Sequence, residues 1–296
     1  MRGLLTSSGN GVTSMSSVHH TPALEGPATH PTLELSMRLP LSPRSLVVVV
    51  ALATTACATG RGKSALPDDI TVLTLRRQNA NTHVVSKGVG YFLVDAGYET
   101  DGPVLVEDLH RAGFDPAAAK AIIVTRGHPD RAGGASYFRK TFGTPVIAAA
   151  ADSARFATGA SGPLCPTSDR ARKQQAHLEA ARFTPFVPDV TVTSDMALEP
   201  LTGIPGRIVP VSGQAGGSLA VVLPTARAAI VGDMFRGAIV GRSADVHFYV
   251  CDLADNRRDV RELVDRVVPH ARTFFTGYFG PVSREAVLKR FADTAP

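Results

Sequence analysis

The sequence predicts a mixed α/β domain over residues 70–296, and three observations carry this. An apolar run, Ala121-Ile-Ile-Val-Thr125, stops at a polar turn and restarts as a helical pattern with Ala135, Phe138 and Phe142. The strand-like run Pro145-Val-Ile-Ala-Ala149 follows, so strand, helix and strand succeed one another as in a βαβ unit. Strands with interspersed helices then recur in the second half. There Val260, Leu263, Val264, Val267 and Val268 fall at i, i+3, i+4, i+7 and i+8, the spacing of one helix face.

Composition narrows the class. The chain has 296 residues, 44% of them apolar and 19% charged, enough for a sizeable core in one domain. Its net charge of +5 is uneven, because residues 1–66 hold five Lys/Arg against two Asp/Glu. No basic stripe with interleaved aromatics occurs, so no nucleic-acid partner is expected.

The first 36 residues are rich in Ser, Thr, Gly, Pro and His without periodicity, and read as disordered or as a start placed too early. Residues 37–57 have the layout of a signal peptide: Arg38 and Arg44, an apolar run from Leu46 to Ala53, then Thr54-Thr55-Ala56-Cys57. Cys57 after small residues resembles a bacterial lipobox, although Thr54 stands where Leu is usual. The expectation is export to the cell envelope with a lipid anchor on Cys57. Ordinary secretion with cleavage near Ala56 or Ala58 is the alternative. Residues 58–69 form a polar tether.

Within the domain, Ile70–Leu75 alternates like an edge strand, and Asn81–Ser86 and Gly90–Val94 make two more strands. Pro103–Ala112 reads as a helix, with Pro at its start and Gly113 to close it. A helix over 131–142 follows the strand at 121–125, and a short helix starts at Asp152. The Pro-rich stretch Gly159–Pro188 reads either as a flap over a pocket or as solvated surface, and its polar patch Asp169–Ala181 favours the surface. Further strands are expected at 190–193, 207–211, 218–223, 228–231 and 274–275. Ser283 can cap a last helix carrying Val287, Leu288 and Phe291. Cys165 and Cys251 lack metal-ligand spacing. An oxidising compartment permits their pairing, but two separate thiols are expected, the first in a loop and the second in the core.

The turn Thr125-Arg-Gly-His-Pro-Asp-Arg-Ala-Gly-Gly134 follows a strand, at the carboxyl edge where α/β ligand sites lie. It resembles the Thr-His-x-His-x-Asp-His signature of the metallo-β-lactamase fold hydrolases, with its Gly-Gly helix start. Val211-Ser-Gly-Gln-Ala-Gly-Gly-Ser218, Gly232-Asp233 and Phe275-Thr-Gly-Tyr-Phe-Gly-Pro-Val282 resemble that family's later landmarks. The resemblance implies a four-layer αββα sandwich over residues 70–292. It also implies that His128, Asp130 and Asp233 stand at metal-site positions. Arg126, Arg131, Gln214 and Tyr278 stand where metal-binding histidines belong. Asp95, ending a strand before Ala-Gly97, matches a structural Asp beneath the pocket; a plain turn-opening Asp is the other reading.

The replacements decide the chemistry expected. A guanidinium has five donors, no acceptor and a permanent charge, so it cannot ligate a cation. Gln offers only a carbonyl oxygen, and Tyr binds metal well only when ionised, against a usual pKa of about 10. No cofactor is therefore expected; one zinc, iron or manganese on a reduced site is the alternative. Arg126 and Arg131 are expected to pair with Asp130 and Asp233 in place of the metals. A lone His128 reads as a structural histidine. His83, His110, His177, His247 and His270 read as structural or exposed, with His247 able to swing into the pocket. The function expected is that of a pseudo-hydrolase, binding an anionic small molecule through Arg126 and Arg131, or an envelope protein. The alternative is a mononuclear hydrolase acting on an ester, thioester or amide.

Overall fold

The computed structural model describes residues 63–65, 70–211 and 217–292. The expected extension over 1–36, the signal-like segment 37–57 with Cys57, and Gln214 lie outside the described residues.

The first sheet has seven strands in chain order: β1 Lys63–Ala65, β2 Ile70–Arg77, β3 Ala80–Lys87, β4 Gly90–Val94, β5 Ala119–Val124, β6 Val146–Ala149 and β7 Val190–Val192. The first four are antiparallel and the rest join in parallel through helical crossovers. Ile70–Leu75 is therefore not the sheet's edge, because β1, inside the segment read as a tether, pairs on its outer side. The helices along this half are α1 Gly102–Arg111, α2 Pro129–Ala132, α3 Ala135–Phe142, α4 Ser153–Thr158 and α5 Asp169–Ala180. The single helix expected over 131–142 is broken at Gly133-Gly134. A Cβ on Gly133 would run into the Tyr98–Glu99 backbone, so this turn needs glycine for its close approach.

The second sheet is built from β8 Met196–Ala197, β9 Arg207–Val211, β10 Ser218–Leu223 and β11 Ala228–Ile230. The short helix α6 Glu199–Thr202 joins β8 to β9. A separate hairpin, β12 Arg236–Gly237 with β13 Ala244–Asp245, follows. After α7 Leu253–Glu262 and one wide turn at Leu263–Val267, β14 Thr273–Phe275 and β15 Val282–Ser283 complete the sheet. Its order is β15-β14-β11-β10-β9-β8, with β14 parallel to β11. The last helix, α8 Arg284–Arg290, is capped by Ser283, whose hydroxyl accepts from the Ala286 N–H at 3.1 Å.

The layers follow from which strand faces are apolar. On β4, Phe92 and Val94 point one way, Tyr91 and Leu93 the other; on β10, Leu219, Val221 and Leu223 oppose Ala220 and Val222. The first set of each strand meets between the sheets, with Ile123, Ile147, Ile208 and Ile230. The outer face of the first sheet packs on α1 and α3 through Leu105, Leu109 and Phe138. The outer face of the second packs on α7 and α8 through Val260, Leu263, Val287 and Phe291. Strands buried on both faces read as unbroken apolar runs, which β5 does from Ala121 to Val124 and β10 from Leu219 to Leu223. The result is a four-layer αββα sandwich.

Candidate functional site

The site gathers at the ends of β4, β5, β11 and β14. Asp95 directly follows β4 at a left-handed φ of 64° and is fully buried. Its carboxyl accepts from the Thr125 N–H at 2.7 Å and from the Thr125 hydroxyl at 2.9 Å, which fixes the turn after β5. Burial pushes this carboxyl up to about 7 against the pull of Arg131 and the Thr125 donors. The next turn residue, Gly127, donates its N–H to Asp152 Oδ2 at 2.6 Å. Asp152 is itself buried and ion-paired to Arg155.

Arg131 is the centre of the site. It is completely buried, the largest side chain to be so. Its Nη2 donates to Asp233 Oδ1 at 2.8 Å and its Nε to Asp233 Oδ2 at 3.2 Å, a two-pronged grip. Nη2 also lies 3.1 Å from Asp130 Oδ2, and Nη1 donates to the Gly277 carbonyl at 2.9 Å. The guanidinium lies 4.6 Å from the centre of the Tyr278 ring, over its face. Tyr278 in turn donates its hydroxyl to Asp130 Oδ2 at 2.9 Å. A Cβ on Gly277 would fall 2.6 Å from the Arg131 guanidinium, so only glycine lets the β14 loop close over it.

Charges in this pocket are set by their neighbours. Burial alone would raise the Asp233 carboxyl, but Arg131, His247 and Arg126 outweigh it and hold the group well below the usual range. Burial likewise works against the Arg131 charge, and Asp130 and Asp233 overcome it. Burial and the adjacent Asp130 raise the Tyr278 hydroxyl well above its ordinary value, so it stays protonated as a donor.

Arg126 behaves differently from Arg131. Its Nη2 lies 2.7 Å from Nδ1 and 2.6 Å from Nε2 of His128. Nη1 is 3.5 Å from Asp233 Oδ2, and Nη1 and Nε have no hydrogen-bond partner among the described residues. Both arginines were expected to pair with Asp130 and Asp233. Arg131 grips Asp233 with two hydrogen bonds, whereas Arg126 keeps only the longer ion pair to Asp233 and lies closest to His128. A guanidinium only donates, so His128 is neutral, and burial followed by the Arg126 charge holds its pKa far down. His247 lies in the same pocket, with Nε2 at 3.5 Å from Asp233 Oδ1. Burial lowers its pKa to about 4. His110, His177 and His270 are exposed, and His83 is a buried structural residue between Thr74 and the Thr276 carbonyl.

Two further expectations are corrected. Gly159–Pro188 is not merely solvated surface: Ser161, Leu164, Leu178 and Ala181 line the cleft opposite Arg126, His128 and Asp233. The polar outer face of α5 masked this role. Cys165 and Cys251 form a disulfide, with Cα atoms 4.8 Å apart, and Cys251 is exposed rather than in the core. The strand-like pairing around them explains the approach: Val250 donates to the Cys165 carbonyl at 2.8 Å and Thr167 to the Phe248 carbonyl at 2.8 Å. The bond fastens the flap to the segment carrying His247. The space left beneath is about 20 Å³, room for roughly one water.

The sequence profile of the metallo-β-lactamase superfamily matches residues 75–277. The chain belongs to that superfamily. Among solved structures, this superfamily member is similar to a metallo-β-lactamase with a HARLDQ motif from Cronobacter sakazakii. That pair shows 19% identity and a TM-score of 0.53, over 72% of this chain and 79% of that one. It is also similar to MIM-1 from Novosphingobium pentaromativorans, at 16% identity and a TM-score of 0.53, over 77% and 84% of the two chains. A third is a metallo-β-lactamase family protein from Thermus thermophilus, at 21% and 0.52, over 75% and 77%. Likenesses at these identities concern the fold. No curated protein matches the chain.

Superfamily members usually bind zinc, and the donors described here do not fit that ion. Both oxygens of Asp233 are gripped by Arg131, and both ring nitrogens of His128 face the Arg126 guanidinium. Zinc needs three or four His, Cys or carboxylate donors converging. Among the described residues no group of three or more such side chains does so.

Sequence reasoning missed several contributors. Asn81 is buried and donates to the carbonyls of Thr276 at 2.8 Å and Phe279 at 2.6 Å, holding the loop after β14. Asp152 looked like a plain helix start. Tyr98 and Tyr249, which also line the cleft, carried no motif at all.

Proposed function

We propose that this chain is a non-hydrolytic binding protein of metallo-β-lactamase fold, a pseudo-hydrolase held at the cell envelope by a lipid on Cys57. The observation that carries the first part is the two-pronged Arg131–Asp233 pair, a cation supplied by the chain at the place of a metal bridge. The signal-like layout of residues 37–57 supports the second part. The ligand is a compact anion such as a carboxylate, received by Arg126 rather than by both arginines after the flap yields, since the closed cleft has room for roughly one water. Every donor nitrogen of Arg131 is engaged, whereas Nε and Nη1 of Arg126 are buried with no hydrogen-bond partner among the described residues. Such buried donors cost about 1–3 kcal/mol each until something accepts from them.

Metal analysis of protein purified without chelator tests this reading. The expected result is substoichiometric zinc, iron and manganese, with small carboxylates raising the melting temperature of the wild type but not of Arg126→Gln. The position of His247 beside Asp233 favours a second reading. In it, His128, Asp130, Asp233 and His247 hold one metal ion and the chain hydrolyses an ester, thioester or amide. A stoichiometric transition metal together with turnover of a nitrophenyl ester decides for that reading. Mass spectrometry of the mature N-terminus tests the anchor, and an unacylated residue there removes it.

A further inference from the structure

The sheet edge away from the cleft carries a second concentration of positive charge. β11 and β14 run parallel, so their first residues lie together at the edge opposite Gly232, Asp233 and Thr276. Arg227 precedes β11 and Arg272 precedes β14, while Arg207 begins β9 at the same edge. Main-chain bonds fix three of these segments side by side: Arg272 N–H donates to the Arg227 carbonyl at 2.7 Å, and Arg284 N–H to the Arg272 carbonyl at 2.9 Å. Between them and the turn after α7 lie two adjoining hollows of about 360 and 260 Å³, sharing Arg227, Pro269, His270 and Ala271 as walls.

Five arginines rim these hollows: Arg207, Arg227, Arg266, Arg272 and Arg284. Two are neutralised, Arg207 by Asp195 and Arg284 by Asp265, which Arg261 also contacts at 3.0 Å. The side chains of Arg227, Arg266 and Arg272 are exposed and have no hydrogen bond or ion pair among the described residues. Like charges held this close repel, and a fixed backbone prevents them from spreading. Val222, Leu223, Val267 and Val268 give the smaller hollow an apolar wall.

We propose that the two adjoining hollows, joined at Arg227 with Arg272 in one and Arg266 and the apolar wall in the other, form a second binding site for a ligand with a phosphate group attached to an apolar body. A phosphate monoester carries about 1.5 to 2 negative charges and three acceptor oxygens. It can satisfy guanidinium forks arriving from three segments, where a carboxylate has two oxygens and one charge. The apolar wall receives what the phosphate is attached to. Both a lipid that ends in a phosphate monoester, such as phosphatidic acid, and a soluble phosphorylated molecule have this chemistry. The site shares no residue with the cleft and does not depend on the reading of the cleft.

The test uses the full chain and two probes. Phenyl phosphate binding is followed by calorimetry, and co-flotation is measured with vesicles of phosphatidylcholine with and without phosphatidic acid. The wild type is expected to bind phenyl phosphate in a salt-sensitive way. Arg227→Gln/Arg266→Gln/Arg272→Gln is expected to bind it at least about tenfold more weakly, a loss of about 1.4 kcal/mol, and Arg126→Gln as the wild type does. The single variant Arg272→Gln, at an exposed position, serves if the triple variant is unstable, and a measurable weakening is then expected. Flotation that needs phosphatidic acid and is lost in the variants assigns the site to a headgroup. Phenyl phosphate binding without it assigns a soluble ligand. Absence of binding to both probes, or binding that the variants leave unchanged, overturns the proposal.

Discussion

Arg131 grips both carboxylate oxygens of Asp233, at 2.8 and 3.2 Å, with neither side chain reachable by solvent. Removing one partner of such a pair leaves the other charged and buried, which costs about 3–5 kcal/mol. Arg131→Ala is therefore expected to lose that much in urea denaturation. Arg131→Lys should recover only part of it, because an ammonium cannot fork. Arg126→Ala should cost clearly less than Arg131→Ala, since two of its three donor nitrogens make no hydrogen bond among the described residues.

Gly277→Ala should destabilise by about 1–3 kcal/mol, the usual range for overpacking. The added methyl meets the Arg131 guanidinium and the Asp233 carboxylate together. The same denaturation experiment checks it, and pairing it with Arg131→Ala should give less than the sum.

Stability should rise with pH between about 4 and 6.5. Burial lowers His247 to about 4 and His83 to about 3, and His128 is held down too. The unfolded chain takes up protons on these rings below about 6.5 while the folded chain does not, so stability is complete above that pH and is lost as pH falls toward the folded values. Each histidine contributes up to about 1.4 kcal/mol per pH unit. Asp95, raised to about 7, works in the opposite direction over the same span but is one group against three. Denaturation at pH 5 and pH 7 should show a shallower slope in His83→Gln and in His247→Gln.

Cys165→Ser/Cys251→Ser should lose about 2–4 kcal/mol, because the bond closes a long loop in the unfolded chain. The separation is 86 residues. Proteolysis within 159–188 should accelerate in the variant, as the flap loses its fastening.

Restoring the replaced positions, Arg126→His/Arg131→His/Gln214→His/Tyr278→His, should convert the pocket into one that retains zinc through dialysis. Metal analysis of the purified variant checks this, and a metal-free product would show that the loop geometry has diverged along with the side chains.

The sandwich was legible because its strands are short apolar runs between turn residues, and because the Gly-Asp and Gly-Gly turns sit at fixed places along them. Asp95 could be read from the strand that ends at it. The carboxylates that Arg131 meets could be read from the same turns. That Arg126 lies closest to His128 could not, and neither could the Asp152 carboxyl that holds the Gly127 turn, whose role is visible only in three dimensions. The disulfide escaped because a sequence separation of 86 says nothing of distance. The flap escaped because α5 buries only Ala171 of its own, and its cleft-facing residues lie at its ends and beyond.

A cation that is part of the chain arrives with translation. The positive charge beside Asp233 cannot be stripped by a chelator, exchanged for a competing ion or withheld by a scarce supply. The Arg131–Asp233 pair is complete when folding is, in any mineral environment its host meets.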